Sequence, residues 1–392
     1  MRWISHDEST TFKALFQFNK AKNYNEFIDG LRFFSGPPQN ILYSDVKGNI
    51  ALNLPGKFPV KFPGQGKFIL DGSNPNSEWK NYIPFEHRLK RYNHPQGFLS
   101  SANQFPVDQT TYPYHIYSNQ FEHYRNRRVN DRLTTMQNIE PKDLMNLQND
   151  NFNYIASEIL PYLLSQLDTI SHNEDQKKFF DELQYWDYFN HPNIKAPSHF
   201  ELWSDILWEA LWDEFDTMSF AVNKPDIYTT SQLIISGGIN DFSDRLITPL
   251  KETPNNLINY SFNTAVDSLN QWLSDNGNDY SWSEFKGTEI NHLISSFTSF
   301  NSNNIPIGGN HNIVNAASKH HGPSWRMVVE MDPEGINAYG VYPGSQTGNP
   351  GNPMYGHMIT HWAEGKYYNL KFGRNKLSAE DILYEVRLKP KK

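Results

Sequence analysis

The stretch NILYSDVKGNIALNL, Asn40–Leu54, decides how the fold is read. Two short apolar runs flank a polar centre in which Asp45 opens a turn and Gly48 supplies the positive φ that the turn needs, so the segment predicts a β-hairpin. On its N-terminal side, Phe12, Leu15, Phe16, Tyr24, Phe27, Ile28 and Leu31 recur at three- and four-residue steps. That spacing predicts helix, broken near Asn23 into two pieces. On its C-terminal side, residues 55–97 are dense in proline, glycine and aromatic rings, as in FPVKFPGQGKF. They predict irregular structure ordered by packed rings rather than by ladders.

From about Asn119 to Phe300 the pattern is mostly helical. Pro141 sits where a first helical turn tolerates proline, with Asp143 well placed for the helix dipole. HFELWSDILWEALWDEF, His199–Phe215, puts Leu202, Ile206, Leu207, Ala210 and Leu211 on one broad face, and its tryptophans read as core. From Ile305 strand character returns in SWRMVVEM (Ser324–Met331), GINAYGVYP (Gly335–Pro343) and KYYNLKF (Lys366–Phe372). With Asn40–Leu54 these segments are expected to share one antiparallel sheet system. The order is sheet material, helices, then sheet material, which favours one α+β domain with a large helical insertion over independent domains. The regions expected are 1–135 (helices, hairpin and aromatic, proline-rich loops), 136–300 (mainly helical) and 301–392 (returning strands).

Composition narrows the function classes. The 392 residues are 38% apolar and 15% aromatic, ample for a core. The net charge of −8 comes with no basic block, which argues against a nucleic-acid partner held through phosphates. There is no cysteine, so disulfide scaffolds and cysteine metal sites are excluded. No apolar run approaches the roughly 18–20 residues of a membrane-spanning helix.

Several segments have a recognisable spelling. QNILYSDVKGNIAL, PGKFPVKFPGQG, DGSNPNSEWKNYIPFEH, NHPQGFLSSANQFP and YRNRRVNDRL follow one another, and IPIGGNHNIVNAASKHHGPSWRMVVEM with GVYPGSQTGNPGNPMYGHMITHW closes the chain. In this order they resemble the penicillin acylase (penicillin amidase) family across nearly the whole chain. The resemblance implies an N-terminal nucleophile hydrolase: an αββα sandwich of antiparallel sheets between helical layers. It also implies amide hydrolysis by a serine at the start of a β chain. That serine's own α-amine, titrating near neutrality, serves as the base.

By the same resemblance, Asn103 in GFLSSANQFP is the asparagine whose side-chain amide forms part of the oxyanion hole. Ser100, Ser101 and Ala102 would let the backbone approach the substrate, and Gln104 stands where some relatives carry asparagine. Read from its residues alone, Asn103 is a turn asparagine ahead of a proline, and it is the flanking resemblance that favours the oxyanion role. Arg125 in YRNRRVNDRL aligns with the arginine that orients the oxyanion asparagine and the α-amine, with Arg128 a competitor one helical turn on. Three arginines within four residues also describe a solvated basic face.

Two other patterns are set aside. Ser73-Asn74 looks like a serine-asparagine β-chain start, but Pro75 and Asn76 do not continue that motif, so Ser73 reads as a turn residue. His357 and His361 have the spacing of a helical metal pair without the intervening glutamate of a zinc protease, and the resemblance places them on a strand. The group His311, His320 and His321 is no stronger as a metal set.

The start, Met1-Arg2-Trp3-Ile4-Ser5-His6, lacks an apolar signal region and reads as the interior of a longer chain. The resemblance places the nucleophile, its strand, an α chain and a signal peptide ahead of Met1. It therefore implies a C-terminal β-chain part, inactive by itself, with the N-terminal portion as partner and self-association over the cut face. The expected substrate is a small acylated amide: a β-lactam side-chain amide, an acyl-homoserine lactone or an acylated peptide. A periplasmic or secreted location is implied as well. No cofactor or metal is assigned to this chain, and any structural calcium would belong to the full-length protein. The competing class is a non-catalytic, aromatic-rich module for glycans or cell-surface material.

Overall fold

The structure, a computed structural model, describes residues 1–116, 122–219, 222–249, 251–277, 279–372, 377–382 and 384–390. The start of the helical region expected near Asn119 lies outside them. Two compact units emerge. One holds Met1–Asn126, Leu133–Thr135 and Met331–Ile336; the other holds Arg127–Arg132, Met136–Glu330 and Asn337–Lys392.

The first unit opens with α1 (Thr11–Phe18) and α2 (Tyr24–Leu31), separated where expected. Asn23 caps α2 by accepting from the Glu26 amide at 3.0 Å, which breaks the apolar periodicity into two helices. The helices cross closely at Gly30, where a Cβ would meet Gln17 and Phe18 at about 3 Å. β1 (Ile41–Ser44) and β2 (Ile50–Asn53) form the hairpin. At its turn Asp45 accepts from the amides of Lys47 and Asn49, and Gly48 has φ +83°. Hydrogen bonds from the Asn49 side chain, the Tyr43 hydroxyl and the Asn49 and Lys47 amides hold the Asp45 carboxyl down at about 2. β3 (Lys90–Tyr92) pairs antiparallel with β2, and Tyr92 stacks on Tyr24 with ring centroids 4.4 Å apart. Between these strands residues 55–89 are irregular, tied by isolated bridges such as Pro59 to Tyr82.

Helix α3 (Tyr124–Thr135) leads into α4 (Pro141–Gln148), α5 (Tyr154–Ser165), α6 (Glu174–Gln184), α7 (Ala196–Leu211), α8 (Ile227–Ser236), α9 (Pro254–Asn276) and α10 (Trp282–Lys286). The core of the second unit lies where α7 packs on α9 and α6. Trp203 is fully buried, donates from Nε1 to Ser261 Oγ at 3.0 Å and meets the Phe262 ring edge-on at 5.1 Å. The buried stripe of α7 is Phe200, Trp203, Ser204, Leu207 and Leu211, whereas Leu202, Ile206 and Ala210 are only half-buried. The expected face is thus rotated towards the aromatic residues, because Trp203 and Phe200 bury more surface than the aliphatic set and fix which side turns inwards.

β4 (Arg326–Asp332), β5 (Gly335–Val341) and β6 (Tyr368–Leu370) form a second sheet in that order, with α11 (Ile359–Ala363) between the last two. The four strand segments therefore do not pair as one sheet. Among the described residues each hairpin recruits its own third strand, Lys90–Tyr92 for the first and Tyr368–Leu370 for the second, making two three-stranded sheets. The GHMITHW segment is also not a strand. Trp362 on α11 buries with Ile305, Ile307, Ala317 and Val341, and one apolar helical turn satisfies that cluster.

Candidate active site

The loop carrying Asn103 is fastened by short polar side chains. Ser101 Oγ accepts from Asn40 Nδ2 at 2.7 Å, and Ser100 Oγ accepts from Asn126 Nδ2 of α3 at 3.1 Å. Ala102 N–H donates to Gln104 Oε1 at 2.7 Å. The small residues thus do more than clear space: their hydroxyls anchor the loop to α3 and to the lead-in of β1. Asn103 itself has φ +66°, the left-handed region that asparagine tolerates better than other residues with a Cβ. Backbone held this way is a recurrent property of functional loops.

Arg125 Nη2 donates to Asn103 Oδ1 at 2.9 Å. This contact fixes which way the amide faces. With Oδ1 committed to the guanidinium, the Nδ2 donors turn away from it, and they have no protein acceptor among the described residues. Burial depresses the Arg125 pKa, since the charge is poorly hydrated there. No carboxylate ion-pairs with it among the described residues.

The neighbouring arginines are committed elsewhere. Arg128 grips Asp150 through Nε and Nη2 at 3.0 and 2.7 Å and lies over the Phe152 ring, while Arg127 pairs with Glu158. Of the two arginines weighed from sequence, Arg125 is the one brought to Asn103.

Beside the loop a recess of about 240 Å³ is lined by Leu89, Arg91, His94, Leu99, Ser100 and Gln104. Sequence reasoning missed Arg91 and His94, which become neighbours of the loop only through β3 and the turn after it. Ser73 is a turn residue: its N–H and Oγ both donate to Asp71 Oδ1, at 2.9 and 2.7 Å. His357 contacts the Met354 carbonyl and His361 stacks on Tyr368 at 4.7 Å, so the pair does not converge. Among the described residues no group of three or more His, Cys, Asp or Glu side chains has the geometry to hold a metal ion.

An α+β chain with two three-stranded antiparallel sheets and many helices, and an arginine-oriented asparagine on a left-handed loop, defines the class of fold. The chain belongs to the penicillin amidase family, whose model matches residues 1–379. It is similar to a thermostable penicillin G acylase of Alcaligenes faecalis, with a TM-score of 0.64 at 14% identity over 97% of this chain and 73% of that one. Among curated relatives it is 20% identical to an acyl-homoserine lactone acylase of Pseudomonas aeruginosa, over 95% of this chain and 48% of the relative. It is 22% identical to one of Pseudomonas fluorescens, over 93% and 47%. The chain thus spans about half the length of the curated relatives it matches.

Proposed function

We propose that this chain supplies the oxyanion-stabilising part of an amide hydrolase, with the nucleophilic serine contributed by sequence outside these residues. In this reading the serine hydroxyl adds to the carbonyl carbon of a linear amide while its α-amine takes the hydroxyl proton. Negative charge then develops on the carbonyl oxygen. The Asn103 Nδ2–H donates to that oxygen, and Arg125 holds the amide in the orientation that makes this donation available. Collapse of the tetrahedral intermediate expels the amine, which takes the proton back, and water then releases the acid from the acyl-enzyme. Alone, this chain would not turn over. Membership of the amidase family and the acyl-homoserine lactone acylases among its relatives support the reaction class, and an acylated amide of that general kind is the proposed substrate. A periplasmic location goes with this reading. So does a companion portion covering apolar surface such as Phe12 of α1 and Leu42 of the outer strand β1, both exposed.

The observation that carries the reading is the Arg125–Asn103 hydrogen bond at 2.9 Å. A preorganised donor at the developing oxyanion contributes about 3 kcal/mol, so Asn103→Ala in the full-length protein should lower kcat by roughly two to three orders of magnitude with folding and self-cleavage retained. Wild-type turnover by that variant would remove the assignment. The alternative of an aromatic binding platform would have to use exposed rings such as Trp3 and Trp325, since Trp203, Trp212, Trp282 and Trp362 are buried.

A further inference from the structure

The second unit contains a cavity of about 480 Å³ that the reaction proposed above does not use. Its volume lies within the roughly 300–1,000 Å³ typical of small-molecule sites. One wall is α7, which presents Glu201, Asp205 and Trp208 on successive turns. Residues 310–313 and 318–321 also line it, on a loop held in shape by Lys286. That ammonium donates to the carbonyls of Gly308, Gly309 and Ala317 at 2.9, 3.2 and 2.7 Å. All three of its donors are spent on the wall, so Lys286 builds the cavity and has nothing left for a ligand.

The α7 wall is different. Glu201 Oε1 accepts from Asn153 and Asn190 side-chain amides, both at 3.1 Å, which orient the carboxyl without neutralising it. Burial pushes the Glu201 carboxyl up to about 7, a rise that the Lys286 ammonium only partly offsets, and pushes the Asp205 carboxyl up to about 6. Trp208 Nε1–H is buried with no acceptor among the described residues. Buried donors of this kind are normally satisfied, so its position marks a place for an acceptor from outside the protein. At the mouth, Lys319 and His321 are exposed, and His320 lies 2.9 Å from Glu289. The cavity is therefore acidic on α7, cationic at its rim and aromatic at Phe200 and Phe285.

We propose that this cavity binds a small zwitterion, an α-amino acid with an apolar side chain: its ammonium lies between Glu201 and Asp205, its carboxylate accepts from Trp208 Nε1–H and faces Lys319, and its side chain rests on Phe200 and Phe285. The site is separate from Asn103, and the proposal stands independently of the hydrolase reading.

Isothermal titration of the full-length protein with L-phenylalanine, N-acetyl-L-phenylalanine and L-phenylalaninamide tests it, the acetyl compound being checked as intact afterwards. L-phenylalanine should bind saturably with one site per chain. Removing the ammonium by acetylation should weaken binding by about 30-fold, and removing the carboxylate by about 10-fold. Glu201→Gln should weaken L-phenylalanine by about 10-fold. Trp208→Phe, which keeps an aromatic ring but removes the N–H together with the five-membered part of the indole, should weaken it by about 5-fold. Absence of saturable binding to folded protein would mean the cavity holds only water and would overturn the proposal. Equal affinity for the acetylated probe would do the same. Should Glu201→Gln fail to fold, unchanged affinity in Trp208→Phe still refutes it.

Discussion

The Asn103 loop and the α7 cavity solve opposite problems with polar groups. At Asn103 the side chain is exposed, its side-chain partner among the described residues is a guanidinium, and what matters is where the remaining donors point. At Glu201 and Lys286 the charged groups are buried, and what matters is how amides and carbonyls make that burial tolerable. Disturbing the first should therefore cost turnover with little stability. Disturbing the second unit's interior should cost stability first.

The largest test of that contrast is Trp203→Ala. It removes a fully buried indole and the N–H that Ser261 Oγ accepts, so a loss of about 3–5 kcal/mol is expected in denaturant unfolding. A loss below 1 kcal/mol would mean that the α7–α9 seam is not the core. Next comes Arg125→Lys in the full-length protein. An ammonium keeps the charge but not the planar fork, and kcat should fall about 10-fold with KM and melting temperature nearly unchanged. Arg128→Lys should do the reverse, lowering the melting temperature through its bidentate grip on Asp150. If both variants lose only stability, Arg125 is a structural residue.

The third test uses pH. The Glu201 carboxyl is raised from 4.5 to about 7, so the folded chain holds its proton more tightly than the unfolded chain between those values. Its contribution to stability is present below 4.5 and is lost as pH rises through about 7. Lys286 runs the other way: lowered from 10.5 to about 7, it contributes stability present above 10.5 and lost as pH falls through about 7. Glu201→Gln should flatten the falling limb between 4.5 and 7 and leave the upper limb in place; identical slopes in variant and wild type would contradict the burial argument. The smallest effect belongs to Asp45, whose carboxyl is depressed from 3.8 to about 2. Its stabilisation of the turn is present above 3.8 and lost as pH falls through about 2, so Asp45→Asn should remove that step from acid unfolding.

What was legible in the sequence follows the same divide. The hairpin at Asn40–Leu54 and the break at Asn23 were readable because turn and cap chemistry are local, written within five residues. Asn103 and Arg125 were readable because each sits in a spelled block, although their separation of 22 positions conceals their hydrogen bond. The cavity was not readable. Glu201, Lys286 and the loop at 308–321 come from three distant segments, and no local pattern distinguishes a carboxylate facing a void from one facing solvent. The α7 stripe was misjudged for a related reason: periodicity ranks positions, while the size of Trp203 and Phe200 decides which positions win. The two sheets were merged because strand character shows that a segment pairs and does not show with what.

The left-handed backbone at Asn103 acts as a filter laid over a second filter. Conformation admits glycine, asparagine and aspartate most readily at φ +66°. Accepting from an arginine while offering a neutral N–H requires a carboxamide, which leaves asparagine and glutamine. One residue type passes both. A library randomised at this single codon would therefore separate into distinct populations. Glycine would retain expression and lose chemistry, glutamine would retain the functional group on a strained chain, and asparagine alone would retain both.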